Sequence, residues 1–173
     1  MYKTFLSLVI CCLLCSISGC DKGIEPEPEK SPQSEIIGFS GKVTFTGNWP
    51  AGITRTHIVV FKNDILTVDD FSFQNLAFVV DSIPYRSQEF IYNSVMNNFF
   101  SFTLAEGTYK YIVVAQSKTP SISFNRADWT IVGVYYNNGN TSKPGMMTLQ
   151  KGNPTIGIDI NVDFNNPPPQ PPK

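Results

Sequence analysis

Cysteine is missing from all but the start of this chain. It has four, and none follows Cys20. Everything beyond that residue therefore folds without a disulfide, works without a thiol nucleophile and rests on its apolar core. Histidine is nearly absent as well. The single one, His57, sits inside a strand-like run, and one imidazole cannot assemble a multi-histidine metal centre or a triad without partners that the sequence does not name. Thirteen basic and fourteen acidic residues leave a net charge of −1, and the lysines and arginines are scattered. The basic stripe that nucleic-acid binding requires is not there. No Gly-x-Ser-x-Gly elbow, glycine-rich phosphate loop or His-Glu-x-x-His pattern occurs. No segment shows the periodicity of an amphipathic helix.

What is present begins with an apolar segment, Phe5 to Ile17, behind the single early lysine Lys3. It is shorter than the roughly 20 residues a helix needs to cross a bilayer and matches the apolar region of an export signal. Ile17-Ser18-Gly19-Cys20 closes it. Small residues ahead of a cysteine at that place resemble the lipobox of bacterial lipoproteins. The resemblance implies that residues 1–19 are a signal peptide and that Cys20 becomes the lipidated first residue of a mature chain. It implies lipid, palmitate included, and a membrane outside the cytoplasm as the partner. One acyl chain holds weakly, whereas the two or three implied here anchor stably. Removing residues 1–19, in which Lys3 is the one charge, leaves a net charge of about −2.

Residues 21–35 hold three prolines, five acidic residues and almost nothing apolar. Such a composition buries too little surface to order itself and reads as a flexible, extended tether running from Cys20 to 35. Acidic residues just after the lipidated cysteine resemble a surface-export signal in some Gram-negative bacteria. In others an aspartate there resembles an inner-membrane retention signal. Asp21 fits both; the outer membrane is the expectation, with the leaflet open. The proline-rich residues 166–173 are expected to form an extended tail without a fold.

Between these ends the hydrophobic period is two. Ile37, Phe39, Val43 and Phe45 alternate with small or polar residues, as do Ile156, Ile158, Ile160, Val162 and Phe164. Phe100, Phe102 and Leu104 face Tyr109, Tyr111 and Val113 across Ala105-Glu106-Gly107-Thr108, which predicts a hairpin. Ile58 to Phe61 is continuously apolar, as a central strand covered on both faces would be. Trp129 to Tyr136, Leu76 to Val80 and Phe90 to Met96 are further strand candidates. Seven or eight short strands without an amphipathic helix predict an all-β fold, an antiparallel β-sandwich over residues 36–165. Thirteen phenylalanines are then core rings of two facing sheets.

Gly41-Lys42-Val43-Thr44-Phe45-Thr46-Gly47-Asn48-Trp49-Pro50 opens this region, followed by Ile58-Val59-Val60-Phe61. Glu106-Gly107-Thr108-Tyr109, Val113-Val114-Ala115, Val132-Gly133-Val134-Tyr135 and Gly157-Ile158-Asp159-Ile160 come after. Their order resembles the prealbumin-like sandwiches of bacterial lipoproteins, akin to transthyretin-like and carboxypeptidase-regulatory-like domains. The resemblance implies a Greek-key, immunoglobulin-like sandwich and a non-catalytic accessory module. It carries over no binding residues, because the matching positions belong to the framework, and fold does not dictate function.

The expectation is therefore a lipid-anchored, non-enzymatic interaction module of the cell envelope whose partner is another envelope protein or a glycan. A surface carbohydrate-binding module is the alternative. Its candidate platform is Trp49, Trp129, Tyr135 and Tyr136, with the Asn137–Asn140 loop to fix hydroxyls. Asp69, Asp70, Asp81, Glu89 and Glu106 are acids a hydrolase would need, but no spacing pairs them. Asp64, Asp69 and Asp70 offer clustered hard oxygens to calcium without the spacing of an EF-hand, and loop aspartates mostly serve turns. No metal and no cofactor is expected. Asp81-Ser82-Ile83 resembles a short bacterial O-glycosylation signal, making Ser82 a candidate modification site, and Asn140-Thr141-Ser142 fits the N-glycosylation pattern. An exposed aromatic patch on the loops would favour binding over scaffolding.

Overall fold

The computed structural model describes residues 35–172; Cys20, the signal segment and tether residues 21–34 lie outside the described residues. Among the described residues there are nine strands and no α-helix, only single turns of 3-10 helix. In chain order the strands are β1 (Ser40–Thr46), β2 (Arg55–Phe61), β3 (Leu76–Val79), β4 (Glu89–Asn93), β5 (Gly107–Tyr109), β6 (Tyr111–Ser117), β7 (Trp129–Val134), β8 (Met147–Leu149) and β9 (Ile160–Asp163). They form a three-stranded sheet β4-β1-β9, a four-stranded sheet β3-β2-β6-β7 and a short ribbon β5-β8.

The period of two puts one face of each larger sheet against the other. Val43 and Phe45 of β1 and Ile160 and Val162 of β9 share a buried cluster with Ile58, Val60, Ile112 and Val114 of β2 and β6. The result is a β-sandwich-like arrangement of two packed layers. Phe39 stands edge-on to Phe78 and Tyr92 within it, with centroids 5.5 and 5.9 Å away. Two glycines make the layers fit. A Cβ on Gly133 of β7 would come within 2.7 Å of the Val162 side chain and 2.9 Å of Ile160, and one on Gly41 would strike the Ile158 backbone. The Tyr92 hydroxyl, buried, donates to the Ile158 carbonyl at 2.5 Å and ties β4 to the approach of β9.

All pairings between strands are antiparallel except β1 with β9. Almost the whole domain separates those two strands in sequence, so no hairpin constrains their direction. The expected Ile156 strand joins the ladder only from Ile160, because Thr155 bridges Phe39 alone and Gly157 turns the chain with φ +78°.

The hairpin expected across residues 105–108 does not form. Tyr109 belongs to β5, which pairs with β8, while β6 lies between β2 and β7. Residues 100–104 make no strand. The Asn98 side chain accepts from the Phe102 N–H at 2.9 Å and donates to its carbonyl at 2.7 Å, closing a loop that leans on β3 through a Phe99 N–H to Val79 carbonyl bond. A single asparagine thus overrides the alternation of Phe100, Phe102 and Leu104. Leu104 enters the inner core, while Phe102 also reaches the other side of the four-stranded sheet.

That other side is buried too. Val59, Phe61, Val113, Ala115 and Ile131 form a second cluster, covered by loops rather than by a third sheet. The continuous apolar run of β2 is explained by this double cover. The tail after Asn166 has no regular structure, yet it is held against the edge of β7. The Gln170 side chain accepts from the Ile131 N–H at 2.9 Å and donates to its carbonyl at 2.7 Å, as a neighbouring strand would.

Candidate functional site

Three loops meet over the outer face of the four-stranded sheet, and each brings phenylalanine. The loop after β2 supplies Phe71 and Phe73, the loop after β4 supplies Phe99, Phe100 and Phe102, and the loop after β6 supplies Phe124. The rings touch in series. Phe124 lies 6.1 Å from Phe73, Phe73 lies 5.9 Å from Phe102, Phe102 lies 5.5 Å from Phe100, and Phe100 lies 4.8 Å from Phe99. Four of these rings remain in water, with Phe73 59 %, Phe124 58 %, Phe100 39 % and Phe99 36 % exposed. Leaving such rings unburied forgoes part of the roughly 1.5–3 kcal/mol that full burial of each would contribute. A contiguous aromatic surface of this kind marks a place of contact.

Local polar bonds hold the loops in position. The Asp70 carboxylate accepts the Leu66 and Thr67 N–H groups at 3.0 and 2.8 Å and the Thr67 hydroxyl at 3.0 Å. The Thr67 bonds keep Asp70 below the usual carboxylate range. Asn75 binds both Asn63 and the Asp70 carbonyl, which braces the same loop from beneath. The third loop is pinned by Trp129, whose indole N–H donates to the Ser123 carbonyl at 2.8 Å, and by the Asn125 side chain, which caps Ala127.

Beneath the phenylalanines a cavity of about 50 Å³ opens between loops and sheet. Its floor is Val59, Val79, Ala115 and Ile131, and Phe71, Ile122 and Trp129 wall it. Phe100 and Phe124, both exposed, also line it. His57 lines it as well, fully buried, 4.9 Å from the Phe99 ring and 6.2 Å from Trp129. Burial holds the imidazole below its ordinary value, against the hydrogen bond to the Val80 carbonyl that favours the charged ring. His57 is therefore a neutral polar group in an apolar chamber.

The aromatic residues singled out from the sequence are not brought into one exposed face. Trp49 is half-buried and packs against the inner core, tilted against Phe45 and Phe164 and edge-on to Tyr85, with its N–H on the Ser87 carbonyl at 3.1 Å. Tyr135 packs on the inner cluster and Tyr136 on the outer one, both partly buried. Trp129 alone belongs to the cavity, as a buried wall rather than a platform. The ring types suited a sugar, but Trp49 lies in the β1–β2 connection, Trp129 at the start of β7, and Tyr135 and Tyr136 just beyond its end, and they pack in different places.

The acids are equally dispersed. Glu89 pairs with Lys42 at 3.3 Å, the Glu106 carboxylate accepts the Lys151 N–H at 2.8 Å, and Asp70 serves its loop. None of Asp69, Asp70, Asp81, Glu89 and Glu106 lines the cavity. Asp64, Asp69 and Asp70 do not converge, and no group of three or more possible metal ligands occurs among the described residues. Ser82 is exposed in the connection from β3 to β4, beside the buried Ile83.

The phenylalanine rim and the buried place of His57 in the cavity lining were not anticipated. A signal existed in Phe71-Ser72-Phe73 and Asn97-Asn98-Phe99-Phe100-Ser101-Phe102, where rings occupy segments otherwise made of turn formers. Set against family models, curated proteins and solved structures, the chain matches none of them.

Proposed function

We propose that this chain is a lipid-anchored, non-enzymatic interaction module of the bacterial cell envelope, which binds its partner through the phenylalanine-rimmed face. One observation carries the binding role: four exposed rings from three separate loops, joined into one series through Phe102, with Phe100 and Phe124 also lining a cavity. Aromatic clusters that surround a recess are how interfaces concentrate their binding energy. The anchoring role is supported by Ile17-Ser18-Gly19-Cys20 at the end of the apolar segment. The prealbumin-like, Greek-key assignment is supported by the strand order, in which a first strand flanked by one antiparallel and one parallel neighbour faces a four-stranded antiparallel sheet.

Two variants test the two halves of this function in the cells that make the protein. Cys20→Ser is expected to abolish incorporation of an alkyne-tagged palmitate and to release the protein from membranes. Phe73→Ser with Phe124→Ser is expected to leave the protein on the membrane but convert it, after mild detergent extraction, from a larger complex to its own mass on a native gel. A double variant that migrates like the wild type would remove the phenylalanine face from the function.

A further inference from the structure

The four-stranded sheet ends in β7, and an end strand offers its unpaired backbone groups to any other chain. Trp129–Val134 holds no charge and no proline, the devices by which such edges repel a neighbour. The tail covers this edge instead. From 167 to 172 every residue but Gln170 is proline, so the segment has almost no N–H to donate and cannot pair as a strand. It holds on through side chains. The Gln170 amide accepts the Ile131 N–H at 2.9 Å and donates to the Ile131 carbonyl at 2.7 Å. Arg126, buried just ahead of β7, donates to the Trp129 carbonyl at 2.6 Å and to the Pro171 carbonyl at 3.0 Å, clipping the tail to the start of the strand.

One acceptor and one donor presented to a single residue are what an opposed residue supplies in a hydrogen-bonded antiparallel pair, where the two exchange both N–H···O bonds. Gln170 imitates that residue with its side chain. A second copy of this chain supplies the real one by symmetry. With a two-fold axis at Ile131, each Ile131 gives the other its carbonyl and its N–H, and two four-stranded sheets join edge to edge. The β-branched run Thr130-Ile131-Val132 suits such pairing. Gln170 and a second copy compete for the same two groups, so each excludes the other. The tail is the weaker holder. Pro167, Pro169, Gln170 and Pro172 are exposed and bury little apolar surface. We propose that the tail is a displaceable guard that keeps the chain single, and that the β7 edge beneath it is a docking surface for β7 of a second copy.

The test is light scattering on the purified full chain in mild detergent, beside the same chain ended after Asn166. The full chain is expected to have the mass of one copy. The shortened chain, with its far-UV spectrum unchanged, is expected to have twice that mass. Adding Thr130→Lys, a charge at an exposed position of the edge strand, is expected to return the shortened chain to one copy. Hydrogen exchange at the Ile131 amide follows the same events: slow in the full chain, slow in the paired shortened chain, fast once Thr130→Lys separates the copies. A folded shortened chain that keeps the mass of one copy, or a dimer that survives Thr130→Lys, overturns the proposal. Should the shortened chain fail to fold, Gln170→Ala in the full chain serves instead. An Ile131 amide that exchanges about tenfold faster there supports the guard, and one no faster than in the wild type overturns it.

Discussion

Replacing Phe124 by serine separates a ring kept for contact from a ring kept for folding. Phe124 is 58 % exposed, so about two-fifths of its surface is withdrawn from water. With full burial worth roughly 1.5–3 kcal/mol, its packing contributes on the order of 1 kcal/mol. Phe78 is the internal comparison, 1 % exposed and edge-on to Phe39 in the inner core. Its replacement by alanine is expected to cost about 3–5 kcal/mol through lost burial and the cavity left behind. Urea unfolding of both variants beside the wild type measures the difference as a shift of midpoint at constant slope. In thermal unfolding the Phe124→Ser change corresponds to a fall of roughly 3–4 °C. If Phe124→Ser costs as much as Phe78→Ala, the ring is a core residue and the surface it defines is not free for a partner.

Three further outcomes follow from the geometry. Burial holds His57 below the ordinary imidazole value of about 6.5, with the Val80 carbonyl and Asp81 opposing that and Arg55 adding to it. The unfolded chain takes the proton first, so stability is full above pH 6.5 and declines as pH falls below it, before carboxylates near pH 4 contribute; urea midpoints across that window should lose this slope in His57→Phe. Gly133→Ala places a methyl against Val162 and Ile160 and is expected to cost about 1–3 kcal/mol, with partial recovery when Val162→Ala is added. Gln170→Ala frees both backbone groups of Ile131, so hydrogen exchange should show that amide unprotected while its β6-facing neighbours stay slow.

Much of the frame was legible because burial on one or both faces leaves a direct mark in the alternation. Val43 and Phe45 point inward with polar neighbours between them, and β2 was recognisable as doubly covered from its unbroken apolar run. The failures have a common cause. Phe100, Phe102 and Leu104 alternate as well as any strand, but the Asn98 side chain closes their backbone into a loop, in which Leu104 enters the inner core, Phe102 packs on both clusters and Phe100 stays exposed. Alternation reports which side chains want burial, not which backbone groups are free to pair. The pairing of β1 with β9 in parallel is a tertiary choice that no local pattern encodes. The site was legible only in composition. Trp129 lines the cavity as a buried wall, while Trp49, Tyr135 and Tyr136 lie outside the strands and pack on different parts of the two clusters. His57 reads from the sequence as a structural or exposed strand histidine, and in β2 it is fully buried with Nδ1 on the Val80 carbonyl; its packing against Phe99 and Trp129 brings together residues far apart in sequence, which no local pattern encodes.

Site-specific photocrosslinking bears most directly on the claim that the phenylalanine face is where this protein meets its partner. A benzophenone side chain placed at Phe124, on that face, and at Lys42, exposed on the opposite sheet, would be irradiated in the cells that make the protein. A discrete adduct from position 124, absent from position 42 and lost when Phe73→Ser is added, is the predicted result. Equal adducts from both positions, or one from position 42 alone, would contradict it.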